Sequence, residues 1–334
     1  MKAMNPIASA ASTTQPLVEV CRLRRDFGNI QAVKDLSFTI ERGQVVGFIG
    51  ANGAGKTTTM RMMATLDVPT SGTIRIGGYD VLNHPTQVRR LIGWMPDAYG
   101  TYDHMTVIEY LDFYARAFGF RREERIRRVN EVMEFANLTE LTDRAINKLS
   151  KGMAQRLCLG RTLLHDPELL ILDEPAAGLD PRARIEFKHL VRLLAAEGKT
   201  LFISSHILSE LGEMCDTLLF IDGGQVVHHG SSDSLLRERR EDASAALLEI
   251  RLAGGEEERE KLAQWAPMQP GVSVAEATKQ GVRLRLEPDT PEAQAALLRR
   301  MIQEGFGVAE YRREERKLED AFVEILGKAE TKTA

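Results

Sequence analysis

The stretch Gly50-Ala51-Asn52-Gly53-Ala54-Gly55-Lys56-Thr57-Thr58 decides how the rest of the chain is read. It fits the pattern Gly, four residues, Gly, Lys, then Ser or Thr, and it lies between the apolar run VVGFI and the helical pattern KTTTMRMMATL. Strand, glycine loop and helix form the unit that cradles phosphates. Glycines let consecutive backbone N–H groups turn inward, and the following helix points its positive end at the phosphates. In that arrangement Lys56 reaches the β and γ oxygens of a nucleoside triphosphate, and Thr57 supplies an oxygen to Mg²⁺. Gly50, Asn52, Gly53, Ala54, Gly55, Lys56, Thr57 and Thr58 are therefore candidate nucleotide-binding residues.

Upstream, from Leu17 to Ile40, two partly alternating apolar runs flank a polar turn at Asp26 to Asn29. They predict an antiparallel pair covering one edge of a larger sheet. Downstream, from about Asp97 to Leu157, the pattern turns helical: VIEYLDFYARAF, ERIRRVNEVMEFA, and a third helix starting near Ser150. Sheet patterning resumes with ELLILDEP, a helix from about Pro181 to Glu197, and TLFISSH, which alternate as a parallel α/β sheet does. TLLFID and QVVHHG then predict a hairpin around Gly223 and Gly224.

Composition narrows the function. With 334 residues and 43% hydrophobic content, the chain can bury one large or two ordinary cores. A net charge of −4 gives no electrostatic reason to expect nucleic acid as a partner. Cys21, Cys158 and Cys215 are too far apart for zinc or a redox pair and read as reduced core residues. No stretch approaches the roughly 20 apolar residues of a membrane span. The first sixteen residues lack the apolar core of a secretion signal and read as a disordered tail.

LLILDEP supplies a second functional element. Asp173 ends an apolar strand where it can hold Mg²⁺ through water, and Glu174 follows, placed to polarise an attacking water. A general base of this kind contributes about 10² to 10⁴ in rate. His206, at the end of TLFISSH, is positioned to meet the γ-phosphate. The plain alternatives are strand-ending charges in solvent and a structural histidine.

LSKGMAQRL, Leu149 to Leu157, resembles the signature sequence of ABC ATPases. The resemblance covers residues 17 to 230, with five motifs in order. It implies a P-loop NTPase (RecA-like) α/β core with an antiparallel β subdomain and a helical insertion at about 97–157. In the family the signature, here Ser150 and Gly152, opens a helix onto the γ-phosphate of ATP held by a second subunit. Phe27 matches the aromatic residue that stacks on adenine, and Asp180 of AGLD matches the residue that reaches across the dimer. The implied assembly is a homodimer around two Mg-ATP that drives a separate integral membrane permease. The protein itself would be peripheral, at the cytoplasmic face of the membrane, touching the bilayer only through that permease.

The sequence departs from the family pattern at three places. Lys151 stands for Gly and Met153 for Gln. Asp97, in IGWMPDAYG, stands where Gln usually touches Mg²⁺ and the attacking water. A carboxylate is a good hard ligand for Mg²⁺, yet it adds negative charge beside Glu174. Asp97 either tunes hydrolysis or caps a turn.

From Ser231 the chain becomes markedly charged and carries the whole acidic excess. Residues 231–330 predict a small α+β accessory domain. Its ending, KLEDAFVEILG, resembles the extension on ATPases of drug and antibiotic exporters, which is the basis for expecting export. The run RREERIRR, Arg121 to Arg128, reads as a solvated helix or a contact for an anionic surface. His228 and His229 are adjacent on a strand and point to opposite faces, which argues against joint metal binding. Soluble ribosome-acting and DNA-repair members of the superfamily are disfavoured by the single P-loop and the lack of heptads or a basic domain. A purely regulatory role fits poorly with Glu174 and His206 in place.

Overall fold

A computed structural model describes residues 15–97, 100, 104–212, 214–231, 245–277 and 281–313. The chain divides into two compact units with the boundary after residue 232. In the first, β1 (Val18–Phe27) and β2 (Ile30–Ile40) form the expected antiparallel hairpin, with Phe27 opposite Ile30 at its tip.

This hairpin does not extend the larger sheet. The far edge of β1 is taken by β4 (Ser71–Ile76), which pairs in turn with β5 (Tyr79–Asp80), giving a separate sheet of order β2-β1-β4-β5. It meets the main sheet through side chains and through the backbone bond from the Lys34 N–H of β2 to Gly224 O. Phe38 of β2 stacks on Phe202 at 5.6 Å, and Phe202 on Phe48 at 4.9 Å. Burying each ring contributes about 1.5–3 kcal/mol, so the shared apolar core holds the sheets together.

The main sheet has the order β10-β9-β3-β8-β7-β6. It comprises β3 (Val45–Ile49), β6 (Ile92–Met95), β7 (Leu169–Leu172), β8 (Thr200–Ser205), β9 (Thr217–Asp222) and β10 (Gln225–Gly230). All pairings are parallel except β9 with β10, the expected hairpin. β3 and β7 read as continuous apolar runs because both faces are covered, as parallel sheets require, and β8 is buried along its whole length. Their carboxyl ends lie together: Ile49 is in register with Ser205, and Leu172 with Ile203. Ligands of open α/β sheets bind at that end.

Helices α1 (Lys56–Met63) and α2 (Pro85–Leu91) precede β6. The helical stretch then contains α3 (Val107–Ala117), α4 (Arg122–Phe135) and α5 (Lys151–Leu163). α3 starts with a capping box: Thr106 accepts the Glu109 N–H, and Glu109 accepts the Thr106 N–H at 2.8 Å. Within the arginine run, Arg125 pairs with Asp112 at 2.6 Å and Arg128 donates to Leu163 and Leu164 carbonyls. Those two arginines tie α4 to α3 and to the end of α5. The same end of α5 covers the free edge of β6, where His165 bonds Ile92 O at 2.7 Å and both Arg161 and Thr162 donate to Trp94 O. An otherwise exposed strand edge is thereby satisfied.

α6 (Pro181–Ala196) and α7 (Leu208–Gly212) complete the first unit. The second unit is an antiparallel sheet of order β12-β13-β11-β14, from β11 (Ala246–Leu252), β12 (Val272–Ala277), β13 (Val282–Leu286) and β14 (Val308–Arg313). α8 (Glu256–Trp265) and α9 (Pro291–Gln303) contribute Leu262, Leu297 and Met301 to its core. The first fourteen residues and KLEDAFVEILG lie outside the described residues.

Candidate active site

The loop between β3 and α1 is held by its surroundings. Gly50 sits so close to the Ile221 carbonyl, and Gly55 to the Ala32 carbonyl, that a β-carbon at either would collide with backbone. Gly55 also has φ +103°, open to glycine at little cost. The β9–β10 turn fastens the loop from behind: the Gly224 N–H donates to Ala54 O at 3.2 Å, while Gly224 O accepts the Lys34 N–H at 2.9 Å. α1 has neither a side-chain cap nor an acidic residue in its first turn, so its positive end is not offset from within.

Lys56, the first residue of α1, is 6% exposed. Its Nζ donates to Gly50 O at 2.7 Å and lies 3.5 Å from Glu174 Oε1. The other Glu174 oxygen is 2.8 Å from His206 Nδ1. Glu174 has φ +48°, a conformation unusual outside glycine that costs about 1–3 kcal/mol. Its N–H donates to Ser204 Oγ at 2.8 Å, and this bond helps hold the turn.

Asp173 is buried beneath, and accepts a hydrogen bond from Ser204 Oγ at 2.7 Å. Burial pushes its carboxyl above the usual range, the Ser204 and Thr57 hydroxyls oppose that, and the charges of Glu174 and Asp97 add to it. His206 stands in a turn fixed by its neighbours. Ser205 Oγ donates to Glu210 at 3.0 Å and accepts the Ile207 N–H at 3.0 Å, and Glu210 pairs with Arg184 of α6 at 3.2 Å.

These groups open on a cavity of about 350 Å³. Asn52, Gly53, Gly55, Lys56, Thr57, Thr58, Asp97, Glu174 and His206 line it, joined by Ala32 and Ala177. Gly50 and Ala54 shape the loop from outside the cavity. Reading the residues one by one missed Ser204, because nothing in TLFISSH separates a bridging hydroxyl from one facing solvent.

Residues 33–177 match the family described as ABC transporter. The ABC transporter ATP-binding protein NatA of Bacillus subtilis is 39% identical over 64% of this chain and 87% of its own length. The bacitracin transport ATP-binding protein BcrA of Bacillus licheniformis is 34% identical over 93% and 97%. Among solved structures, an ATP-binding subunit of an ABC transporter superposes with a TM-score of 0.61 at 31% identity, over 67% of this chain and 93% of that one. The chain belongs to the ABC transporter ATP-binding family. It is an ABC ATPase, and the expected α/β core is present.

In this ABC ATPase the remaining candidates lie off the cavity. Ser150 caps α5 by accepting the Met153 N–H at 3.3 Å. Asp180 caps α6 by accepting the Ala183 N–H at 2.9 Å, with Pro181 at the first helical position. The two helix starts are docked together, since a β-carbon on Gly152 would stand 2.7 Å from that of Ala183. One on Gly178 would stand 2.6 Å from Lys151 Nζ. Lys151, one of the departures from the family pattern, thus lies against the AGLD loop. Phe27 does not line the cavity, and the residue is exposed at the hairpin tip.

Proposed function

We propose that two copies of this ABC ATPase clamp two Mg-ATP head to tail and drive a separate integral membrane permease, in export. The observation that carries the reading is Glu174 fixed between Lys56 and His206 at the rim of the P-loop cavity. There Lys56 neutralises phosphate charge, Glu174 polarises the attacking water, and His206 orients Glu174 and meets the γ-phosphate. Asn52, Gly53, Ala54, Gly55 and Thr58 bind the phosphates through the loop and the start of α1.

The residues present suit Mg²⁺. Thr57 and Asp97 line the same cavity, Asp173 is buried next to Glu174, and all three offer hard oxygens. Among the described residues no three His, Cys, Asp or Glu converge on a metal position. That accords with Mg²⁺, which is usually bound by one or two carboxylates together with substrate phosphates and water. When bound, the ion would neutralise charge on the transferring phosphoryl group.

Ser150 and Gly152 would complete the partner's site and Asp180 would reach across, because a two-fold interface generates both sites at once. ATP then favours the closed pair, and hydrolysis lets it reopen. Among the described residues no helix is long and apolar enough to cross a membrane, so a permease would supply the passage. The protein would sit at the cytoplasmic face, with residues 231–330 as an accessory domain. Export is supported by a relative named for Nod factor export, 37% identical in Ralstonia nicotianae over 66% of this chain and 69% of its own length.

Purifying the tagged chain from detergent-extracted membranes tests the assignment. A stoichiometric integral membrane protein whose reconstitution stimulates ATPase activity is expected. Recovery with ribosomes or DNA, and no membrane protein, would overturn it.

A further inference from the structure

Against Phe27 the structure places a charged network that the catalytic residues do not use. The Arg25 guanidinium lies over the Phe27 ring, 4.4 Å from its centroid. Arg25 is held by Asp67, Nη2 to Oδ1 at 2.7 Å, and Arg61 in the last turn of α1 approaches the same carboxylate at 4.0 Å. The Arg25 side chain is 23% exposed, so this is a partly desolvated contact. One face of the ring is therefore occupied by a fixed cation, while the residue as a whole stays 46% exposed.

We infer that Arg25 is a positioning residue for the base of the nucleotide, acting through Phe27. The inference rests on the reading of Phe27 as the stacking residue and goes beyond it. A ring at a hairpin tip is free to turn unless something fixes its plane. The guanidinium does so from one face and draws on the ring's electron density, which favours an electron-rich purine on the opposite face. Asp67 fixes the guanidinium, and through Arg61 the platform is tied to the helix that carries Lys56.

The test is equilibrium binding of ATP and of inorganic tripolyphosphate, each with Mg²⁺, to the full chain and its variants. Phe27→Ala should weaken ATP about five- to a hundredfold and leave tripolyphosphate unchanged. Arg25→Met should weaken ATP about two- to fivefold, again with tripolyphosphate unchanged. Arg25→Lys should recover part of that loss, and Asp67→Asn should give part of it. In the Phe27→Ala background Arg25→Met should add nothing. If Arg25→Met weakens both ligands equally, the residue is only structural and the inference fails. It fails as well if Arg25→Met has no effect while Phe27→Ala does, and then the stacking role of Phe27 stands without it. If Phe27→Ala leaves ATP binding unchanged, both the stacking role and the positioning role fall.

Discussion

The hydroxyl of Ser204 donates to Oδ1 of Asp173 across 2.7 Å. Ser204 Oγ in turn accepts the Glu174 N–H at 2.8 Å, so one buried side chain fixes two successive acidic residues. Ser204→Ala leaves that N–H and one carboxylate oxygen without this partner. We expect about 1–3 kcal/mol of lost stability. Mg²⁺ affinity should fall about 10- to 100-fold, the usual effect of removing a bond that orients a ligand. Denaturant titration and the Mg²⁺ dependence of ATPase activity measure both. Unchanged values would mean that the bridge does not orient Asp173.

Asp173 also sets a pH dependence. Because burial raises its folded pKa, the folded chain holds a proton more tightly here than the unfolded chain does. The buried charge therefore costs stability above the folded pKa, and the cost disappears as pH falls through it. Without Mg²⁺ or nucleotide, Asp173→Asn should be more stable than the native chain at neutral pH, and thermal melts should show the gap closing on acidification. A gap that widens on acidification would contradict the assignment.

Asp97 faces the cavity and adds to the negative charge around Asp173. Asp97→Gln should shift the Mg²⁺ concentration needed for half-maximal ATPase activity and alter turnover. If both are unaltered in a Mg²⁺ titration, Asp97 has no tuning role.

Ser150 lies off the cavity and caps α5. Ser150→Arg should cost about 0.5–2 kcal/mol through the lost cap and keep ATP binding by the monomer, while preventing ATP-dependent dimerisation. Sedimentation with and without ATP separates these effects. Dimerisation as strong as in the native chain would remove Ser150 from the interface.

Much of this was legible in the chain because the relevant signals are local. The runs VVGFI and LLIL are apolar throughout, as strands buried on both faces commonly are, TLFISS carries an apolar LFI centre, and the glycine loop adjoins the first of them. The antiparallel β subdomain was implied by the resemblance, but the strands that complete it were not legible in the residues. SGTIRI pairs with β1 from some fifty residues away, and alternation along a strand does not say which edge it will join. Neither the +48° φ of Glu174 nor the bridge through Ser204 leaves a mark in residue type or spacing. Gly152 was read for its exposed N–H groups, whereas the structure adds a packing reason, its contact with Ala183.

The Glu174 carboxylate, between Lys56 and His206, is the group on which the proposed chemistry turns. The most direct measurement is ATPase turnover of Glu174→Gln together with its sedimentation in ATP. The expected result is a loss of about 10² to 10⁴ in turnover, native ATP affinity and a dimer that persists while ATP is present. Hydrolysis at the native rate, or loss of ATP binding in a folded chain, would contradict it.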